Sequence, residues 1–332
     1  MRKKFAGFVA LLGLALVGCQ DNTNQNQQVI SERYIHKYGY DVSKEDWSKN
    51  GYPGQVITNL RNGITITSRY EDGKLHGTTT YTFPHSTTLE SAHLYDRGQL
   101  VKKTSFNVRG IPTSEEVHIS PTHRKLTTWH TDGTPLRIEE YDSGRLVEGE
   151  YFTTNNKVES RINKGEGVRT VRNEQGQLVA RETIENGLVA MRTEYYSSGT
   201  PHTITSLLNG NLHGTKKTYA ASGEPLAIEN WKNGVPNGIF TYFQNGAKYV
   251  ETPYFEGEKE GIERHYVDGE ILVEETEWHG SKRHGPSIIY LDGYNTVEWY
   301  YTNEKVSKEK YDELCEQERH IARLSQRSSK GR

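Results

Sequence analysis

Apolar and polar residues alternate along most of this chain, in short runs broken by glycine turns. Leu226, Ile228 and Asn230 fall on one side of such a run, and Ala227, Glu229 and Trp231 on the other. A period of two predicts strand rather than helix. The breaks are themselves periodic. One set of turn glycines is Gly51, Gly73, Gly98, Gly144, Gly165, Gly187, Gly210, Gly234, Gly257 and Gly280, with Pro121 in the one missing place. A second set lies mid-unit, at Gly63, Gly110, Gly133, Gly176, Gly199, Gly223, Gly246, Gly269 and Gly293, and Asn155 fills its gap. The pattern predicts about eleven units of roughly 23 residues between positions 47 and 302, each with two turns and two strands. Asn209-Gly210, Asn233-Gly234, Asp72-Gly73 and Asp268-Gly269 supply the positive φ that tight hairpins need. No unit has room for a crossover. The expected fold is therefore all-β: an elongated antiparallel β-meander, or solenoid ribbon, of hairpin repeats. At about 10 Å per two-stranded unit it would run on the order of 100 Å.

Two aromatic columns keep phase with the turns. Four residues before the mid-unit turn stand Phe106, Trp129, Tyr151, Tyr195, Tyr219 and Tyr242. Three residues before the first-turn glycine stand Tyr70, Tyr95, Tyr141, Trp231 and Tyr254, with Ile162, Ile184 and Leu207 in their place in three copies. Fixed phase predicts rows of rings that support neighbouring units and offer large contact area to a partner. Composition agrees with a shallow core. Only 33% of residues are apolar, yet 21 Tyr, 5 Trp and 8 Phe argue against disorder.

The N-terminus differs from the rest. Arg2, Lys3 and Lys4 precede an apolar stretch, Phe5 to Val17, too short to span a bilayer and suited to an export signal. Leu16-Val17-Gly18-Cys19 resembles a bacterial lipobox, which implies cleavage after residue 18 and acylation of Cys19. Residues 20–28 are all polar and form a tether, so 19–28 comprises the lipidated cysteine and that tether. Gln20 after the cysteine implies sorting to the outer membrane of a Gram-negative envelope. Loss of the three leader cations takes the formal charge from -2 to -5, which leaves no electrostatic footprint for nucleic acid.

Residues 208–223, LNGNLHGTKKTYAASG, resemble the MORN-repeat family, in the bacterial variant found in proteins labelled YwqK-type antitoxin components. Residues 72–77 and 279–285 carry the same turn, and the likeness fades between residues 100 and 205. The resemblance implies a ribbon fold and a role in protein or lipid contact, and it implies no catalysis.

A segment at 29–46 precedes the array as a cap. At 303–325, Tyr311, Leu314, Cys315, Ile321 and Leu324 predict a capping helix over the last strand, with Ser307 as its N-cap and a basic tail at 326–332. Chemistry is sparse. His76, His213 and His284 precede turn glycines a repeat or more apart, which suits a turn role better than a shared ion. His118, His123 and His130 have no common ligand spacing. The adjacent pairs Glu115-Glu116, Glu139-Glu140 and Glu274-Glu275 alternate across a strand and are expected to be solvated. No cofactor, metal or catalytic residue is called for. The reading is a lipid-anchored envelope protein, not an enzyme, whose ribbon binds a protein, peptide or glycan. The alternatives are an immunity protein that neutralises a toxin, an enzyme on envelope polymers, and direct lipid contact by the ribbon.

Overall fold

The computed structural model describes residues 29–173, 175–291 and 293–329; the leader, Cys19 and its tether lie outside them. The chain is all-β with a C-terminal helix, and within each of its parts successive long strands pair antiparallel as a meander. It divides into two compact units, Met1–Ile111 and Pro112–Arg332.

In the first unit, strand Val29–His36 pairs with Gly54–Leu60 and helix α1, Lys44–Asn50, lies between them in the chain. This short helix has no legible period. It is fixed by its ends: Ser43 Oγ accepts the Asp46 N–H at 3.1 Å, and Gly51 closes it with φ +60°. Its one buried residue, Trp47, packs on Tyr34 and Tyr70. Hairpins Thr65–Glu71, Gly77–Thr82, Leu89–Asp96 and Gln99–Phe106 complete the unit.

The turns occupy two edges of different chemistry. At the first-turn edge both loop residues have positive φ, as in Asn209 and Gly210 (51° and 80°), the geometry of a type I′ hairpin. At most mid-unit turns only the glycine does, after a type I turn. Two units lack a mid-unit glycine: His85 (φ 55°) takes the left-handed place in one, and in the other Asn156 (φ 55°) takes the place expected of Asn155. At Pro121 the Ser120 hydroxyl accepts the His123 N–H at 3.0 Å and closes the turn without a glycine. The first-turn edge is also laced along its length. Gly98 N–H donates to Leu75 O (2.7 Å), Gly165 to Val147 O (2.8 Å), Gly234 to Leu212 O (2.8 Å) and Gly257 to Pro236 O (2.9 Å). Each such bond between successive turns contributes on the order of 1 kcal/mol and couples neighbouring units.

In the second unit the turns of the open sheet bond to one another and curl it between residues 135 and 190. Leu146 N–H donates to Gly187 O at 3.0 Å, Gly187 N–H to Gly165 O at 2.9 Å, and Arg145 to Asn186 O at 2.6 Å. Three successive turn regions thus form one bonded cluster. Inside the curl sits a buried core of Leu146, Tyr151, Ile162 and Ile184, flanked by Tyr141 and Val189. These are the degenerate copies. Ile162 stands between Gly149 and Gly167 on the neighbouring strands, and Ile184 stands opposite Gly167. A branched aliphatic with glycine partners lets strands approach where a ring would hold them apart.

The second unit ends in strand Glu304–Val306 and helix α2, Lys308–Ser329. The helix therefore begins later than expected and runs into the predicted tail. Ser307 caps it, accepting the Lys310 N–H at 3.2 Å. It docks through Tyr311, whose ring lies 5.0 Å from Trp299 and 5.5 Å from His284, and Cys315 is a half-buried free thiol. Ile321 and Leu324 stay exposed, so only the first half of the expected apolar face is packed.

Candidate functional site on the aromatic face

Strand register shows how the columns are built. The ring of the second column lies opposite a glycine again and again: Gly54 with Tyr70 and Gly77 with Tyr95 in the first unit, then Gly214 with Trp231 and Gly238 with Tyr254 in the second. Gly261 with Trp278 and Gly285 with Tyr300 extend the series. Glycine leaves a slot in the pleat and the ring opposite covers it. Trp278 and Tyr300 do not keep phase with turn glycines, because the left-handed pair after Trp278 is Gly280 and Ser281, one place later, and the pair after Tyr300 is Thr302 and Asn303, with no glycine. The first column pairs differently. Trp129, Tyr195 and Tyr219 stand opposite Pro135, Pro201 and Pro225 just across the mid-unit turn.

In the second unit the two columns share a face. Tyr141 and Tyr151, one from each, both donate to Glu139 at 3.0 Å. Tyr151 is 1% exposed, so the folded protein offers it to no partner. The other ten column residues (Phe106, Trp129, Tyr195, Tyr219, Tyr242, Tyr70, Tyr95, Tyr141, Trp231 and Tyr254) are half-buried. Trp231 and Tyr254 do not stack directly; Phe240 on the intervening strand bridges them, 5.5 Å from one and 4.6 Å from the other. Burial pushes the Tyr242 hydroxyl up to about 12, so it is a neutral donor at physiological pH.

Between the columns runs a charged spine that corrects one expectation. Glu139 is not solvated: it is 0% exposed. Arg169 Nε lies 2.9 Å from Glu139, a Coulombic contact whose N–H points off the oxygen, and its other arm bonds Glu182 at 3.4 Å. Glu182 also bonds Arg192, and further along Lys216 meets Glu229 at 3.1 Å. Burial pulls the Arg169 guanidinium down, but Glu139, Tyr141 and Glu182 outweigh it and hold it above the ordinary arginine value. In the last copies Thr252 donates to Glu263 at 2.7 Å and Lys259 pairs with the same carboxylate. The signal was present in the sequence: Glu139, Glu182 and Glu229 each stand two residues before a column position.

The histidines serve turns. His76 lies 3.3 Å from both Glu71 and Asp96, and His213 bonds Asn233 at 3.1 Å, each reaching the next first turn. His284 packs under α2, with its Nε2 3.9 Å from Cys315 Sγ. His130 is buried, whereas His118 and His123 lie beside Glu116 and Glu140. Among the described residues no group of three or more His, Cys, Asp or Glu is placed to hold a metal ion.

The last copies also leave apolar residues uncovered. Val267 opposite Ile271, and Leu291 opposite Tyr294, flank two consecutive mid-unit turns. Their exposures are 47%, 59%, 65% and 82%. Strand Ile271–His279 pairs with Lys282–Leu291, which puts the two turns at one edge of adjacent hairpins. The chain matches no protein-family profile, and no curated protein matches it.

Proposed function

We propose that this protein is a lipid-anchored envelope protein of the MORN-repeat type whose repeat sheet is a non-catalytic binding or scaffolding surface. The observation that carries the reading is the apolar patch at Val267, Ile271, Leu291 and Tyr294, set on a sheet whose aromatic face is largely occupied in holding itself together. An exposed apolar patch marks a contact site for another macromolecule. Half-buried rings alongside add area at low entropy cost. The partner class this surface suits is a protein or extended peptide.

Anchoring rests on the leader and Cys19. In cells fed a labelled fatty acid, the wild-type chain should take up label and fractionate with membranes. Cys19→Ser should lose the label and leave the membrane fraction. Label retained on Cys19→Ser would overturn the anchor.

A further inference from the structure

The segment before the first repeat builds a cleft that the repeat pattern does not account for. Strand Val29–His36 turns back through residues 37–40, where His36 N–H donates to Tyr40 O at 2.9 Å and Gly39 N–H to His36 O at 2.8 Å. Lys37 N–H then bonds Pro53 O at 2.9 Å. His36 is buried, stacked on Tyr40 with centroids 4.6 Å apart, and its Nδ1 accepts the Tyr38 N–H at 3.3 Å. Gly54 lets the strands close here: a Cβ on it would stand 2.2 Å from Ile35 O, and its φ is +155°. The result is a cavity of about 400 Å³, within the range of small-ligand sites, walled by Lys37, Gln55, Arg69, Tyr70 and His76 among others. Trp47, edge-on at 6.0 Å, holds the Tyr70 ring.

The charges in this cleft are unbalanced. Several strand arginines have carboxylate partners, as Arg33 has Asp41 at 2.8 Å, Arg124 has Glu116 at 2.8 Å and Arg264 has Glu275 at 2.9 Å. The Arg69 guanidinium has no hydrogen-bond or ion-pair partner among the described residues, although its backbone carbonyl accepts the His76 N–H at 3.0 Å. Lys37 stands over the Tyr38 ring at 5.2 Å and meets no carboxylate among them. Glu71, the one acid on the wall, is engaged by His76. Two cations without an ion-pair partner, against one carboxylate, thus face a concave site in a chain of net charge -2. The rings on the wall are those of Tyr70, His36 and His76.

We propose that this cleft binds a carboxylated saccharide, its carboxylate on Arg69 and Lys37 and a ring face on the aromatic wall. A guanidinium reads a carboxylate with two parallel bonds, and polar side chains such as Gln55 suit hydroxyls at the rim of a sugar ring. The site belongs to the first unit and does not depend on the patch at residues 267–294.

The test is calorimetric titration of the full chain in detergent with glucuronate, glucose and acetate. Glucuronate should bind saturably and glucose about tenfold more weakly or worse, as expected for loss of one charge-assisted contact. Arg69→Gln should weaken glucuronate about tenfold with an unchanged circular dichroism spectrum, since Arg69 is exposed and glutamine keeps the stem that lies over Gly77. Lys37→Gln should weaken it less. Acetate should not displace glucuronate. The proposal falls if glucuronate does not bind saturably, if glucose binds as well, or if Arg69→Gln changes nothing. It falls equally if acetate competes on level terms, which would make the cleft a reader of any carboxylate, peptide ends included.

Discussion

Replacing Glu139 with leucine should cost about 3–5 kcal/mol of stability, the usual penalty for stripping one partner from a buried ion pair. Glu139 is fully buried and holds three groups at once: the Tyr141 and Tyr151 hydroxyls and the Arg169 guanidinium. Leucine leaves both hydroxyls without this acceptor. It also leaves Arg169 with Glu182 alone at 3.4 Å. Glu139→Gln keeps an acceptor for the hydroxyls and removes the charge, so it should fall between wild type and Glu139→Leu. Urea denaturation followed by tyrosine and tryptophan fluorescence reads both. A loss below about 1 kcal/mol for Glu139→Leu, the level of an exposed pair, would show that the spine bears no weight.

Gly167→Ala should cost about 3 kcal/mol or more, through strain and overpacking together. Gly167 has φ +142°, and a Cβ there would stand 2.2 Å from Arg161 O, a backbone atom that cannot swing aside. Its partners Ile162 and Ile184 belong to the apolar core of the curl. The damage should therefore centre on residues 135–190, visible as faster amide hydrogen exchange there than in the repeats after Asn209. Gly210→Ala is the control: its φ is +80° but nothing lies within 4 Å of the added Cβ, so it should lose only the cost of the left-handed conformation. Equal effects of the two substitutions would show that the close approach at Gly167 is not what shapes the curl.

Strand period, glycine phase and the Ser307 cap were all legible in the sequence, because each is a local rule that backbone geometry enforces within a few residues. The curl was not. Ile162 and Ile184 read as worn copies of an aromatic position, when they are the residues whose smaller bulk lets the sheet curl. That depends on contacts between turns 22 and 41 residues apart, such as Gly187 with Gly165 and Arg145 with Asn186. No single strand encodes such pairs. Alternation placed Glu139 and Glu140 on opposite faces correctly but could not say that one face would fold over and exclude water. The aromatic columns were visible as a list of rings. That Tyr151 is sealed against Glu139 while Tyr70 walls a cleft could be seen only from the assembled sheet. Helix α1 was missed because seven residues hold too little period, although Ser43 and Asp46 already marked its start.

The binding role is tested most directly by a photo-crosslinking amino acid placed in native cells at Ile271, Leu291 or Tyr294, and separately at Gly210 on the opposite turn edge. The patch positions should each yield the same discrete protein adduct, and Gly210 should not. No adduct from the patch, or the same adducts from both edges, would contradict a docking surface on these repeats.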